Sequence, residues 1–497
     1  MLNASFSTTT CLALACLLAA AHAADQPQWG EAWSRNMVSG ETGLPESLDP
    51  KTGENLLWSA KLGTEGHCTP TIAGGRIFIG TNNGVPRDER IVGDRGVMMC
   101  LDEKDGHLLW QLTVPKLTDD IYYDWPKSGM SSPTTIEGDR AYLVSNRAEV
   151  LCLDVHGMAN GNDGPFKDEA AHQTVEGEPT VEVGPLDADI LWRTDLRTEA
   201  GIWPHDGAHT SVLIHGEQLW LNTGTGVDNT HRKIRTPDAA SLVVLDKATG
   251  RLLARDDEHI APNIFHCTWS SPSVGKVGGR ELIFFAGGDG IVRAFEPLAE
   301  VPPVGEVRKL KVVWRYDLDP GGPKEEVHRF TQNKSIGPSN VYGLPVFAND
   351  HLYVAGGGDL WWGKNEAWLK CVDAADGKET WSYPLGKHVM STPAIHDGLV
   401  FIADTGRTLH CVDAASGQVM WTHEAKGDFW ASPLVADGKV YIGTRKGDFY
   451  VFAASREKKL ISTTEFGGPI SATPVAANGT IYVKTMTDLY AFRVKGK

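Results

Sequence analysis

No two cysteines in the chain are adjacent, and neither Cys-x-x-Cys nor Cys-x-x-Cys-His occurs. A zinc ribbon and covalently attached c-type haem are therefore not indicated. Cationic residues are in deficit, with 47 Lys and Arg against 63 Asp and Glu and a formal charge of −16. That balance argues against nucleic acid or an anionic membrane as a partner. No apolar run is long enough to span a bilayer comfortably, the one candidate being Cys11 to Ala21. Stretches of helical periodicity are few. Glycine is plentiful, at 54 of 497 residues, as a turn-rich all-β chain requires.

The apolar run ends in Ala21-His22-Ala23, a small-x-small site. Residues 1–23 are expected to be a secretory signal cut after Ala23, although no Lys or Arg precedes the run. Cys16 would suit a lipoprotein, but Ala13-Leu14-Ala15 is a poor lipobox and the apolar run continues past it. The expected location is periplasmic or secreted. Beyond the signal remain Cys68, Cys100, Cys152, Cys267, Cys371 and Cys411. Four of these stand two residues before an Asp, in Cys-Leu-Asp or Cys-Val-Asp. A small apolar side chain is wanted there between packed sheets, so buried free thiols are expected, with no dependence on disulfides.

The segment Cys371 to Trp381, CVDAADGKETW, recurs as CVDAASGQVMW from Cys411 to Trp421. Earlier copies read CLDEKDGHLLW from Cys100 and VLDKATGRLL from Val244. A repeat of about forty residues built of strands and turns implies a β-propeller, one copy per blade. Strand A of each unit begins at an anchor: Pro70, Pro133, the degenerate Ser211, Pro272, Pro345, Pro393, Pro433 and Pro474. Strand C ends near Asp102, Asp154, Asp246, Phe295, Asp373, Asp413, Ala453 and Phe492. Both series have the same length, and they predict an all-β, eight-bladed propeller of four-stranded antiparallel blades. A seven-bladed ring would require discarding Ser211. The D strands carry Trp110, Trp192, Leu253, Trp314, Trp381, Trp421 and Ile461, while Trp58 precedes the first A strand. The N-terminal strand is thus expected to close the last blade and leave no open edge. Residues 24–54 then form a lead-in segment, and 55–497 the propeller with an insertion at 155–188.

Strand direction places the D–A and B–C loops on one face. Three long B–C loops, Asn82 to Gly96, Gly224 to Ala240 and Gly356 to Ala367, mark that rim as functional. Three residues before each A-strand Pro anchor, and two before Ser211, stand His67, Met130, His209, Trp269, Tyr342, Met390, Trp430 and Ser471, with His205, His266 and His388 in the same loops. These positions are expected to meet at the channel mouth, where the aromatics supply stacking surface or simply plug the channel. His67, His209, His266 and His388 are candidate metal ligands, for copper above all where Met is near, and His266 and His209 are candidate catalytic groups. Trp269, Trp430 and Tyr342 are candidate cofactor contacts. So are Asp228 and Arg232, in and beside the Gly-rich loop 222–231, which would suit an anionic or sugar-like ligand. Trp361 and Trp362, adjacent on a long loop, suggest a protein or carbohydrate contact surface. Asn160-Gly-Asn-Asp-Gly-Pro has the composition of a calcium loop, but its spacing does not fit an EF-hand and it reads as an Asn/Gly turn.

The repeat Leu-Asp-x-x-x-Gly-x-x-x-Trp, at 100–110, and its Val-Asp versions at 371–381 and 411–421 resemble the tryptophan-docking motif of the PQQ-like propeller superfamily. The resemblance covers nearly all of the chain after residue 23. It implies eight blades, and either a quinoprotein dehydrogenase or a BamB-like assembly protein without the quinone. The dehydrogenases would imply pyrroloquinoline quinone with calcium, a catalytic Asp and often a disulfide between adjacent cysteines. Here Val227 stands where that pattern has Asn after Thr-Gly, and His266-Cys-Thr-Trp stands where it expects the Asp base. The opening Gln28-Trp29-Gly30 with Glu41-Thr-Gly-Leu-Pro is similar to exported PQQ-like repeat proteins of bacteria.

Two functions follow as expectations. The first is an exported, monomeric binding or assembly module that engages a protein or glycan at its decorated rim. The alternative is an oxidoreductase or other metal-dependent enzyme at the channel mouth, using copper, calcium or PQQ.

Overall fold

The computed structural model describes residues 24–207 and 209–495. The expected signal sequence and Cys16 lie outside them. Eight separate sheets follow one another along the chain, each with a four-stranded core. Blade one comprises Thr71–Ala73, Arg76–Asn82, Arg95–Asp102 and Leu108–Pro115, paired antiparallel in sequence order. The pattern repeats through blade seven, Leu434–Ala436 to Leu460–Glu465. Blade eight takes its outer strand from the other end of the chain: Leu56–Lys61 pairs antiparallel with Asp488–Phe492, Trp58 facing Ala491. The eight-blade count and the closure through Trp58 are both as the repeat predicts. Among the described residues only Glu169–Gln173 and Leu196–Glu199 are α-helical, and no helix is long and apolar enough to cross a membrane.

The forty-residue repeat is a docking device between blades. Trp381, on strand D of blade five, donates its indole N–H to the carbonyl of Ala414, just past strand C of blade six, at 3.0 Å. Trp110 does the same to Val155 at 2.9 Å, and Trp314 to Ala374 at 3.0 Å. The repeat Gly lies under the incoming indole: a Cβ on Gly417 would sit 2.7 Å from Trp381, and one on Gly377 2.7 Å from Trp314. Both glycines have positive φ, 72° and 76°, which a side chain disfavours. The repeat Asp builds the preceding turn, Asp413 accepting from the backbone N–H of Ser416 at 2.9 Å. A register shift beside Cys100, Cys371 and Cys411 re-aims each Trp strand. All six described cysteines are free and buried. Burial pushes the Cys68 thiol up to about 11, so it is no nucleophile at neutral pH.

The lead-in segment is the hub of the ring. The innermost strands are three to five residues long, and most turn the backbone N–H of their second residue toward the axis. Gln26 and Pro27 accept from Ile72 and Ile136 of blades one and two at 2.9 and 2.8 Å. Trp33, Ser34 and Met37 accept from Val274, Phe347 and Val435 of blades four, five and seven at 2.9, 3.1 and 2.9 Å. The Asn36 amide makes both bonds to Ile395 of blade six at 2.8 Å, and Ala24 accepts from Asn478 of blade eight at 3.2 Å. Blade three is reached by Arg35, fully buried, whose guanidinium donates to Ser211 and Val212 there and to Pro272 and Trp29. Residues 24–39 thus contact the inner edge of every blade. Those edges would otherwise leave buried N–H groups unpaired.

Candidate functional site

Above the hub the channel opens into a cavity of about 370 Å³ on the face of the D–A and B–C loops. Its walls include Trp269, Tyr342, Trp361, Trp362 and Trp430, with Trp29 of the hub below and Glu65 and Arg445 as charged groups. Trp125 and Trp361 are also 42% and 40% exposed at the surface.

On one side of this cavity three histidines from different loops meet. His205 comes from the loop between blades two and three, His231 from the long B–C loop of blade three, and His266 from the loop between blades three and four. One ring nitrogen from each lies within 4.8 Å of the others, and all three residues are buried. The glycine-rich loop permits the approach. A Cβ on Gly226 would fall 2.7 Å from the His266 carbonyl and 2.8 Å from the His205 Cβ. In this fold Gly-Thr-Gly serves close packing of backbone on backbone.

The rings are held from behind. His205 donates Nδ1–H to the Val227 carbonyl at 2.7 Å, and His266 pairs through Nδ1 with Asp359 Oδ2 at 2.9 Å. Asp359 is itself fixed: it accepts from the Tyr342 hydroxyl and from the backbone N–H groups of Trp361 and Trp362 at 2.9 and 2.6 Å. The Nε2 atoms of His205 and His266 have no hydrogen-bond partner, nor has Oδ1 of Asp206. Oδ2 of Asp206 lies 3.6 Å from His205 Nε2 and 3.7 Å from His266 Nε2. Tyr122 stacks on His205 at 5.5 Å, and Trp362 packs on His231 at 4.6 Å.

The electrostatics follow from this enclosure. Burial, then the neighbouring His266 and His231, pushes His205 well below the ordinary imidazole range. Burial works against charge on His266, but Asp359, and after it Asp206, hold its pKa above the usual value. Burial raises Asp206 to about 6. Burial would also raise Asp359, but the His266 charge and the hydrogen bonds from His266 and Tyr342 hold it at about 2. Three converging imidazoles, two of them held by acceptors behind the ring with Nε2 left unpartnered, and a bordering carboxylate have the arrangement of a transition-metal site.

The positions singled out in the sequence separate into groups. His266 is in the cluster. His209 and His67 line the same cavity but are engaged elsewhere, His209 packed on Trp269 at 4.6 Å and His67 stacked on Trp430 at 5.9 Å. His388 is bonded to the Lys364 carbonyl at 2.8 Å, away from the other three. Trp269, Trp430, Tyr342 and Met390 line the cavity, whereas Met130 packs in the core between blades one and two. Asp228 is buried and holds its own loop, accepting from Thr230 and Arg235; Arg232 is exposed and outside the cavity. Asp206, Tyr122 and Arg35 were not singled out by sequence. For Asp206 the signal was present, since it lies between His205 and His209.

Pyrroloquinoline quinone fits this mouth poorly. Trp269 is flanked by His209 at 4.6 Å and Tyr342 at 4.9 Å, which crowds this indole against a stacked planar ring. The cavity sets Glu65 and Asp206 against Arg445, an unfavourable balance for a tricarboxylate. Calcium prefers oxygen ligands, and a histidine trio does not supply them.

No curated protein matches the chain. Among solved structures it superimposes on BamB from Moraxella catarrhalis with a TM-score of 0.54 at 11% identity, covering 88% of this chain and 99% of that one. It superimposes on a europium-containing methanol dehydrogenase with a TM-score of 0.60 at 11% identity, over 95% and 98% of the two chains. A quinohemoprotein alcohol dehydrogenase from Pseudomonas putida HK5 gives 0.56 at 11% identity, over 95% of this chain and 81% of that one. At such identities the likeness is one of fold. The family model described as outer membrane protein assembly factor BamB matches residues 34–157, 307–429 and 365–459, more than half of the sequence, and the chain belongs to this family of PQQ-like propellers.

Proposed function

We propose that this protein is an exported metal-dependent enzyme whose site is the His205, His231 and His266 cluster at the channel mouth. The observation that carries the reading is the pair of unpartnered Nε2 atoms on His205 and His266, each ring being locked through its Nδ1. Burying such acceptors without a partner costs free energy, and a bound ion removes that cost. The imidazole set favours zinc or copper among common ions. An ion held there would act as a Lewis acid, or as a redox centre if it is copper.

The chain's own groups define the rest of the chemistry. Asp206, with its pKa near 6, is ionised at neutral pH and stands where it can ligate or accept a proton from a bound ligand. The Tyr342–Asp359–His266 chain fixes the His266 ring. The indole and phenol walls beside Glu65, Arg445 and Ser471 suit a small ligand with an apolar face and a hydroxylated edge, such as a sugar unit.

Elemental analysis of the purified mature protein, before and after loading with zinc and copper, tests this. About one equivalent of ion is expected, lost in His205→Ala and His231→Ala. A protein that retains neither ion on dialysis sinks the proposal. The second reading, docking of a protein at the rim, rests on the exposed Trp125 and Trp361; it would be favoured by an unmetallated protein whose partner is lost in Trp361→Ala.

A further inference from the structure

A second cluster of ligating groups lies outside the mouth, at the base of the insertion between strands C and D of blade two. Asp154 ends strand C, Glu149–Asp154, and Asp189 immediately precedes strand D, Ile190–Asp195. The chain between them makes a 3₁₀ turn, Gly157–Asn160, and then brings Asp163 back against both. One carboxylate oxygen from each of Asp154, Asp163 and Asp189 lies within 4.8 Å of the others. Glu169, at the start of the short helix Glu169–Gln173, adds a fourth carboxylate close by.

The bonding of these groups is incomplete in a specific way. Asp189 is fully buried, and its Oδ2 accepts from the backbone N–H of Asp163 at 2.8 Å. Its Oδ1 has no partner. Glu169 is 4% exposed; its Oε2 accepts from Asn162 at 2.9 Å and its Oε1 has no partner. Asp154 caps the backbone of His156 at 2.7 Å with Oδ1, leaving Oδ2 with only a long contact to Asn160 Nδ2 at 3.4 Å. The same amide lies 3.5 Å from Asp163 Oδ2. Lys167 is the nearby cation, yet its Nζ bonds Asn162 and the Asp163 carbonyl and none of the four carboxylates. Burial, and with it the charges of Glu169, Asp154 and Asp163, raises Asp189 to about 6. Two buried oxygens without partners, in a pocket of like charge, indicate a missing cation.

We propose that Asp154, Asp163 and Asp189, with Glu169 beside them, bind one hard divalent cation, calcium in preference to magnesium. Calcium accepts irregular oxygen cages of carboxylates, amide oxygens and water, whereas magnesium demands a near-ideal octahedron. Rotation of the Asn160 amide would present its oxygen in place of the nitrogen now between Asp154 and Asp163. Asn160 ends the 3₁₀ turn, and the irregular stretch that follows delivers Asp163. The cation would tie the two ends of the 155–188 insertion together, on the face opposite the histidine cluster.

The test uses the mature protein stripped with a chelator and titrated with calcium or magnesium by calorimetry and thermal melting. One calcium site is expected, with a rise in Tm and slower proteolysis within 155–188. Asp163→Asn, an exposed position, should weaken calcium at least about tenfold. Asp189→Asn should remove the calcium effect while raising the Tm of the stripped protein, because it relieves the repulsion. His205→Ala should leave calcium binding intact, which separates this site from the one at the mouth. No heat and no Tm change at millimolar calcium, or unchanged binding in both carboxylate variants, would overturn the proposal.

Discussion

His266 donates its Nδ1–H to Asp359 across 2.9 Å, with side-chain exposures of 3% and 0%. A histidine buried with a carboxylate behind it has one lone pair left to offer, and the fold determines where that lone pair points. Asp359→Asn keeps the shape and removes the charge. Metal affinity should fall by about 10–100-fold, read by competition with a chromophoric chelator, while the melting profile is retained. Unchanged affinity would remove Asp359 from the site.

Asp206 is the group whose titration is easiest to isolate. Its folded pKa, about 6, lies above the ordinary carboxylate value because burial disfavours its charge. The native state therefore holds the extra proton between about pH 4 and 6, and its contribution to stability is lost as pH rises through that window. Above pH 6 the buried carboxylate, beside Asp359 and the three histidines, destabilises the ion-free protein. Asp206→Asn should raise Tm at pH 8 relative to the parent and leave it nearly unchanged at pH 4. A difference independent of pH would refute the assignment.

Metal uptake should carry the complementary dependence. His266 has a raised pKa and Asp206 one near 6, so protons compete with the ion at both. Affinity should increase with pH up to neutrality, by about tenfold per unit for each proton displaced. Calorimetry in two buffers of different ionisation enthalpy would count those protons. A flat profile from pH 5 to 7 would mean that the ion, if bound, sits elsewhere.

Gly417 tests the docking motif. Its φ of 72° and the 2.7 Å approach of Trp381 to a notional Cβ make Gly417→Ala both strained and overpacked. The expected loss is about 2–4 kcal/mol, measured by denaturant titration. An alanine tolerated without loss would show that the indole can move.

The hub predicts its own terminus. The backbone nitrogen of Ala24 lies 2.6 Å from Glu41 Oε1, and Glu41 is 4% exposed. Cleavage after Ala23 would turn that amide into an ammonium on a buried carboxylate. Mass spectrometry of the exported protein should find Ala24 at the N-terminus; a start elsewhere contradicts both the cut site and this pairing.

The blades were legible because a docking motif repeats what a closed ring must repeat. Trp, Asp and Gly recur at Trp381, Asp373 and Gly377 as at Trp421, Asp413 and Gly417, and each copy carries the same turn and the same indole contact. The loops carry no such redundancy. Position relative to the anchors identified the mouth, but equivalent loops were assumed to place equivalent residues. His388 bonds the Lys364 carbonyl and His67 stacks on Trp430, neither joining the cluster, whereas His231 enters from a B–C loop and Asp206 from the residue beside His205. Which residues meet depends on loop conformation, such as the close pass at Gly226, and no periodicity encodes it. Arg35 was invisible for another reason: a single arginine in an irregular segment has no pattern, and its partners are backbone carbonyls.

Gln26, Trp33, Asn36 and their neighbours bond the inner edges of the blades at the axis. Trp29 lines the cavity from the hub side, so the hub forms part of the surface that a ligand entering among the loops would meet. The chain also cannot finish its ring early. Residues at the axis bond every blade in turn, and Ala24 among them accepts from Asn478 of blade eight. Assembly of the centre must await blade eight, so loss of that blade should disturb the floor of the cavity as well.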